Sequence, residues 1–343
     1  MQISTSSLFS IPRSAVLDLQ SQIAKAETEV TTGQVADPAQ SLGSQLGLDE
    51  TLQAQFANLT NLQSSNTIPQ STLSASQNAL TQMASDAQSF VSAIMTAQSS
   101  GDVSTLPAQA QSLLASFTSL LNSTAGGAYI FGGTNSTVKP VADYSQGPQA
   151  ATAAAFQGAF GIAQSDPSVS AISGPQMQAF LTGSFANLFQ GSQWAANWSQ
   201  ASNTRTSALI SPTDVVTTSV TANESAFQSL ANAYASIADL GIGNLGASAR
   251  QAVLSNALNV ASAAQQGITG LQATLGISQS QITNANSQMQ TQASLIDNWV
   301  SKLGGVDSYQ AASTLTNLTT QLETAYSLTN RISKLSLVNY LTA

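Results

Sequence analysis

The residues best suited to acid–base chemistry are the five glutamates Glu27, Glu29, Glu50, Glu224 and Glu323. A carboxylate pair held roughly 5–9 Å apart, one protonated and one ionised, can hydrolyse a glycosidic bond. Glu27 and Glu29 do not fit that task. They lie two apart, and a helix turns such neighbours to different faces. All five are expected as solvated helix faces, with no catalytic site. The chain has no histidine and no cysteine. Ser-His-Asp and Cys-His arrangements are therefore excluded, as are disulfides, zinc–thiolate sites and metal sites that need an imidazole.

Two further stretches invite a chemical reading. Residues 125–135, AGGAYIFGGTN, carry glycines with the four-residue gap of a phosphate-binding loop. Gly133 and Thr134 follow where that loop needs a lysine, so nothing would neutralise a β- or γ-phosphate. A helix ending at Gly126 and a short strand over Ala128–Phe131 are expected instead. Trp194 and Trp198 could stack on a sugar, but at i, i+4 spacing they read as packing in a small domain. No cofactor is expected.

Composition narrows the class further. Only 7% of the 343 residues are charged, against about 25% in ordinary globular chains. Alanine supplies much of the 42% hydrophobic content, and aromatics are 6%. Large core-forming side chains are thin for this length, which suits long helices packed along narrow seams better than a compact enzyme. The net charge is −8, and no cation falls between Lys25 and Lys139. No basic stripe is present to follow a nucleic acid, and no polybasic patch to hold a membrane. The opening MQISTSSLFSIPRSAVLDLQ lacks the basic and apolar regions of a Sec signal, and no apolar run approaches membrane-spanning length. Export without a cleaved signal, or a cytoplasmic location, is the expectation.

The elements follow from periodicity. Phe9, Val16, Leu19, Ile23, Ala26 and Val30 form a heptad stripe broken by Gly33 and Asp37-Pro38. A helical region over about 49–99 carries Leu80, Met83, Ala87, Phe90, Ile94 and Ala97, and a third helix runs to about Asn122. Residues 135–215 lose the helical period and gain Gly, Pro, Thr and aromatics, reading as a small mixed or β-rich insert. Arg205–Val220 has strand content around Ser211-Pro212. Helix returns near Asn223. Ile268, Leu271, Leu275, Ser278, Ile282, Ala285, Met289, Gln292 and Ile296 alternate by three and four. After Gly304-Gly305 a last helix carries Leu315, Leu318, Leu322 and Ala325, then shifts phase to Leu328, Ile332 and Leu335.

The expected fold is mainly α, a long helical hairpin or coiled-coil shaft built from both ends, with a small β-containing central insert. Its parts are terminal helices (1–40 and 305–343), a shaft (41–140 and 216–304, with a short strand region near 126–134) and an outer insert (141–215). Each terminal seam is too narrow to bury itself alone. An ordinary intramolecular bundle and an assembly with neighbouring subunits both fit the pattern.

Three segments carry a resemblance: the opening MQISTSSLFS with LDLQSQI at 17–23 and EVTTG at 29–33, the stretch GGAYIFGGT, and the closing LETAYSLTNRISKLSLVNYL at 322–341. In this order they resemble the flagellin superfamily, and within it the family of hook–filament junction subunits. The likeness covers about 1–140 and 220–343. Gln34-Val35-Ala36-Asp37-Pro38 departs from the family, which has a basic residue and a double acid there. The resemblance implies export unfolded through the flagellar type III apparatus, with an export chaperone. It implies an inner coiled-coil layer of terminal helices around a channel, longer helices outside it and an outward insert. AGGAYIFGGTN would be the turn-strand segment where the chain leaves the shaft. The implied partners are further copies of this chain, the hook-associated protein FlgK below and flagellin above. Val16, Leu19, Ile23, Ala26, Val30, Leu315, Leu318, Leu322, Ala325, Ile332 and Leu335 are then the expected assembly contacts. A flagellin filament subunit is the nearest alternative. A secreted tip or effector protein of a related export system is the second.

Overall fold

A computed structural model describes the backbone of residues 5–341 and the side chains of residues 13–331. The element order is α1 (Thr5–Thr32), α2 (Pro38–Leu42), α3 (Leu46–Ser65), α4 (Thr67–Ser100), α5 (Leu106–Leu121), β1 (Thr124–Ala125), β2 (Ala128–Tyr129), α6 (Pro148–Phe160), α7 (Gly174–Phe180), α8 (Gly191–Asn197), β3 (Ser207–Leu209), β4 (Val215–Thr217), α9 (Ser225–Asp239), α10 (Ala247–Gly304) and α11 (Ser308–Leu341). The fold is mainly α, with two small antiparallel hairpins as its only named sheets among the described residues. Contacts divide the chain into a terminal unit, residues to Asn61 and from Met289, and a central unit, Leu62–Gln288.

The central unit is organised around α9. Ala226, Phe227 and all of Leu230–Ala238 are buried. This stretch is covered on every side, polar Asn232 and Ser236 included, so the helix sits inside its neighbours. Phe90 of α4 meets Tyr234 edge-on at 4.9 Å between ring centroids. Phe117 of α5 and Phe131 flank Phe227 at 6.5 and 5.6 Å. The expected α4 stripe, Leu80 to Ala97, is buried throughout. On α10, Gly267 makes room for α9, since a Cβ there would lie 2.8 Å from Ala226 Cβ.

The helical region expected over about 49–99 consists of two helices, α3 and α4. Pro69 cannot donate to the carbonyl four residues back, which belongs to Ser65, the last residue of α3. At the break, the buried Asn66 amide donates to Ile210 O at 2.8 Å and Asn286 Oδ1 at 2.6 Å. Antiparallel α4 and α10 also share a polar row at seven-residue spacing. Gln265 donates to Gln88 at 2.7 Å, Gln272 to Thr81 at 3.0 Å and Gln279 to Ser74 at 3.5 Å.

The AGGAYIFGGTN stretch differs from its expected form. Helix α5 ends at Leu121, because the Asn122 side chain leaves the helix pattern to pair with Val141. Its amide donates to Val141 O at 2.9 Å and its oxygen accepts from Val141 N at 3.0 Å. A hairpin follows, with Gly126 (φ 59°) and Gly127 (φ 83°) at its tip. Two positive φ values make the two-residue turn that strand twist favours. Ile130 and Phe131 then enter the core. Thr134 N donates to Thr204 O at 3.0 Å, Ser202 N to Gly132 O at 3.0 Å and Ala222 N to Phe131 O at 2.8 Å. The segment therefore joins α5, the exit of the insert and the entry to α9.

The insert is more helical than its composition suggests. Its strand content is the β3–β4 hairpin around Ser211-Pro212. Its aromatics form a packed chain, from Phe156, Phe160 and Phe180 through Phe185 and Phe189 to Trp198. Trp194 and Trp198 are buried and stacked at 5.1 Å. Trp194 Nε1 donates to Asn223 Oδ1 at 3.0 Å. These rings are packing.

Candidate assembly interface

In the terminal unit α1 and α11 pack against each other in antiparallel order. The turn between them explains the direction. Gly33 (φ 70°) closes α1, and its N–H donates to Glu29 O at 2.9 Å. Val35 N then donates to Gly304 O at 2.9 Å, and Val306 N to Gly33 O at 3.0 Å, around a Gln34–Gly305 bridge. The departing segment has its own uses for its residues. Asp37 caps α2, accepting from Gln40 N at 3.2 Å, and meets Lys25 Nζ at 3.4 Å. Glu29 Oε1 accepts from Ala36 N at 3.2 Å. On the other side, Asp307 Oδ1 accepts from Tyr309 N at 2.8 Å and opens α11.

The two stripes face inward but are not fully covered. Val16, Leu19, Ile23 and Val30 of α1 are half-buried, and Ala26 is buried. Leu315, Leu318, Leu322 and Ala325 of α11 are half-buried, and Ala311 is buried. The structure thus brings these expected residues onto the paired faces. Ile332 and Leu335, like Phe9, lie outside the described side chains. The expected phase shift at Leu328 does not occur. Leu328 is 55% exposed, while Thr329 continues the three-four spacing half-buried, its hydroxyl donating to Ala325 O at 2.7 Å.

A second set of apolar residues was not singled out by periodicity. Leu17, Leu295, Trp299 and Tyr326 are each about half exposed, and Tyr309 is 86% exposed. Leu295 and Trp299 are one turn apart on α10. Their signal in the sequence is bulk off the stripe: a large apolar residue where the heptad calls for a polar one. On α10 the buried stripe passes through Met289, Ala293, Ile296 and Val300. Gln292, expected on it, is exposed.

Fully burying a Leu, Ile or Val contributes about 1.5–3 kcal/mol. The partly covered stripe residues leave up to about a third of that to be gained from another surface. The arrangement offers apolar contact and neutral hydrogen bonding and little else. Glu27, Glu50 and Glu323 are exposed on helix faces, and Glu29 is engaged as above. In the central unit Glu224 pairs with Arg205, accepting from Nη2 at 2.8 Å and Nε at 3.1 Å. Among the described residues no helix is long and apolar enough to cross a membrane, and no group of three or more carboxylates could hold a metal ion.

Comparison with known proteins gives matches at both ends. The family described as bacterial flagellin N-terminal helical region matches residues 3–136, and the bacterial flagellin C-terminal helical region matches 258–341. No curated protein matches the chain. Among solved structures, one described as a flagellar hook-associated protein from Vibrio parahaemolyticus is similar at 12% identity, covering 84% of this chain and 95% of that one, with a TM-score of 0.38.

Proposed function

We propose, from the premise that this chain belongs to the flagellin superfamily, that it is the subunit joining hook to filament in a bacterial flagellum, a junction protein of the FlgL kind. The superfamily is one of structural proteins of the extracellular flagellum, and a structural role is the one assigned here. The observation that carries assembly is the half-burial of Val16, Leu19, Ile23, Leu315, Leu318 and Leu322 on helices that already have one partner. Such a seam gains by meeting neighbouring copies, which would cover the apolar surface that the single partner leaves open. Ile332 and Leu335 extend the same proposal. The terminal helices would form the assembly layer, and residues 141–215 the outward domain.

The junction position rests on the opening MQIST and the close LSLVNYL, which are similar to junction subunits. FlgK below, flagellin above and the flagellar export apparatus are then the partners. The reading that this chain is instead a filament subunit rests on the same helices. A clean gene deletion separates the two. Bare hooks with abundant unpolymerised flagellin in the medium are expected for a junction subunit. Disappearance of a flagellin band from filament and medium alike makes the chain a filament subunit. Normal filaments overturn both and favour a secreted tip protein.

A further inference from the structure

The terminal unit leaves two matching rows of side chains uncovered. On α10, Leu295, Trp299 and Lys302 lie at i, i+4 and i+7, which places them on one helix face. The buried stripe through Ile296 and Val300 runs along the other side. Leu295 is 55% and Trp299 56% exposed, and Lys302 is exposed beside them. Trp194 and Trp198 are buried, so Trp299 is the one tryptophan open to solvent. The second row crosses the α1–α11 pair. Glu323 and Tyr326 are exposed on one face of α11. Tyr326 accepts from Gln20 of α1, and Leu17, 59% exposed, lies one turn from Gln20. Because α1 and α11 are antiparallel, Leu17 falls beyond Tyr326, on the side away from Glu323.

One row thus runs cation, aromatic, aliphatic, and the other acid, aromatic, aliphatic. At about 1.5 Å per residue the steps are roughly 4.5 and 6 Å on α10, and roughly 4.5 Å each across α11 and α1. Among the described residues neither Lys302 nor Glu323 makes an ion pair within the chain. We infer that the α10 row of one copy docks antiparallel on the α1–α11 row of a second copy. Lys302 meets Glu323, Trp299 meets Tyr326 and Leu295 meets Leu17. This rests on the assembly reading above and adds a surface to it, since the stripes face into the α1–α11 pair and these six residues face out. The occupant is a second copy because one terminal unit carries both complementary rows, each exposed within its own chain. Two unlike patches that fit each other make a heterologous contact, which closes into a ring or continues as a helix. Tryptophan and tyrosine at the centre are the side chains that dominate binding at such contacts. The charges fix the direction: parallel docking would set Lys302 against Leu17 and Glu323 against Leu295.

The chain has no cysteine, so single introduced cysteines report the contact. Asn298 and Asn330 are exposed beside the two rows. Full-length Asn298→Cys and Asn330→Cys chains are mixed with a short bis-maleimide cross-linker, and covalent dimers are read by denaturing gel and mass spectrometry. The mixed pair is expected to give severalfold more dimer than either variant alone. Tyr309→Cys, 86% exposed and off both rows, takes the place of Asn330→Cys as the control and should give no such excess. Lys302→Glu in the first chain should lower the yield, and Glu323→Lys added to the second should restore it. All these positions are exposed, so the variants keep the fold. Equal yields from the control pair overturn the inference, as does a charge swap that restores nothing. The two readings fail separately. If the cysteine variants build normal filaments but never cross-link there, this contact is wrong and the assembly role stands. Normal filaments in the deletion strain sink the flagellar role, and the contact is then judged by the cross-link alone.

Discussion

Gln20 and Tyr326, 306 residues apart in the chain, share a 2.8 Å hydrogen bond in which the Gln20 amide donates to the tyrosine hydroxyl. It links the middle of α1 to α11 beside the half-buried stripes. Both residues are exposed, so the bond reports the pairing more than it holds it. The stripes around it carry the energy.

Asp at position 19 or 322 would place a charge on the seam. Leu19→Asp and Leu322→Asp are expected to abolish incorporation into filaments, each costing more than about 2 kcal/mol at the seam. Tyr326→Phe should cost under about 1 kcal/mol and assemble normally. Complementation of a deletion strain, read by electron microscopy, checks all three. Normal filaments from both aspartate variants would sink the assembly role.

The polar row and the apolar seam between α4 and α10 should differ in weight. Leu275 is 1% exposed, and Leu275→Ala is expected to destabilise by about 2–5 kcal/mol. Gln272→Ala removes a partly exposed hydrogen bond to Thr81 and should cost about 1 kcal/mol or less. Urea unfolding followed by circular dichroism measures both. A glutamine effect equal to the leucine effect would mean that the polar row holds the helices together.

Two glycines in one stretch should respond oppositely. Gly133 has φ 61°, and a Cβ there would lie 2.6 Å from Thr204 O and 2.8 Å from Ser202 O. Gly133→Ala is expected to cost more than about 2 kcal/mol, beyond the left-handed penalty of about 1–2 kcal/mol. Gly126 has φ 59° with nothing within 4 Å of its Cβ position. Gly126→Asn, suited to that backbone, should stay within about 1 kcal/mol of the parent chain. Thermal unfolding of the pair is the check, and equal losses would refute the close approach at Gly133.

Alkaline pH should weaken the fold. Burial raises Tyr144 above its usual 10.0, helped by the neighbouring Asp239, to which its hydroxyl donates. Burial, with Asp86 nearby, raises Tyr234 likewise. Above pH 10 the unfolded chain loses these protons while the folded chain keeps them. Stability is therefore full below pH 10 and falls as pH rises further, by about 1.4 kcal/mol per pH unit for each tyrosine. Tyr234→Phe should flatten this slope. Because Tyr234 Oη is buried without a hydrogen bond, the change should cost little at pH 7. A slope unchanged in the double variant Tyr144→Phe, Tyr234→Phe would refute this origin.

The amino-acid sequence determined the helices and their inward faces. Apolar residues at three-four spacing leave a helix only one face to bury, so Val16 to Val30, Leu80 to Ala97 and Leu315 to Ala325 were legible from spacing alone. Spacing failed where its assumption failed. A helix of 3.6 residues per turn drifts from a strict heptad, and a four-residue step from Met289 to Ala293 displaced Gln292 from the stripe. At Thr329, position on the helix outweighed hydrophobicity, so the larger Leu328 was left outside. Tertiary structure alone decided the rest. Asn122 ends α5 because Val141 offers it both a donor and an acceptor, a partnership nineteen residues away that no local propensity encodes. The insert's aromatics settled into short helices because they had one another to pack against. Periodicity is a local property, but the partners that satisfy a buried amide or cover a half-buried leucine come from distant segments or other molecules.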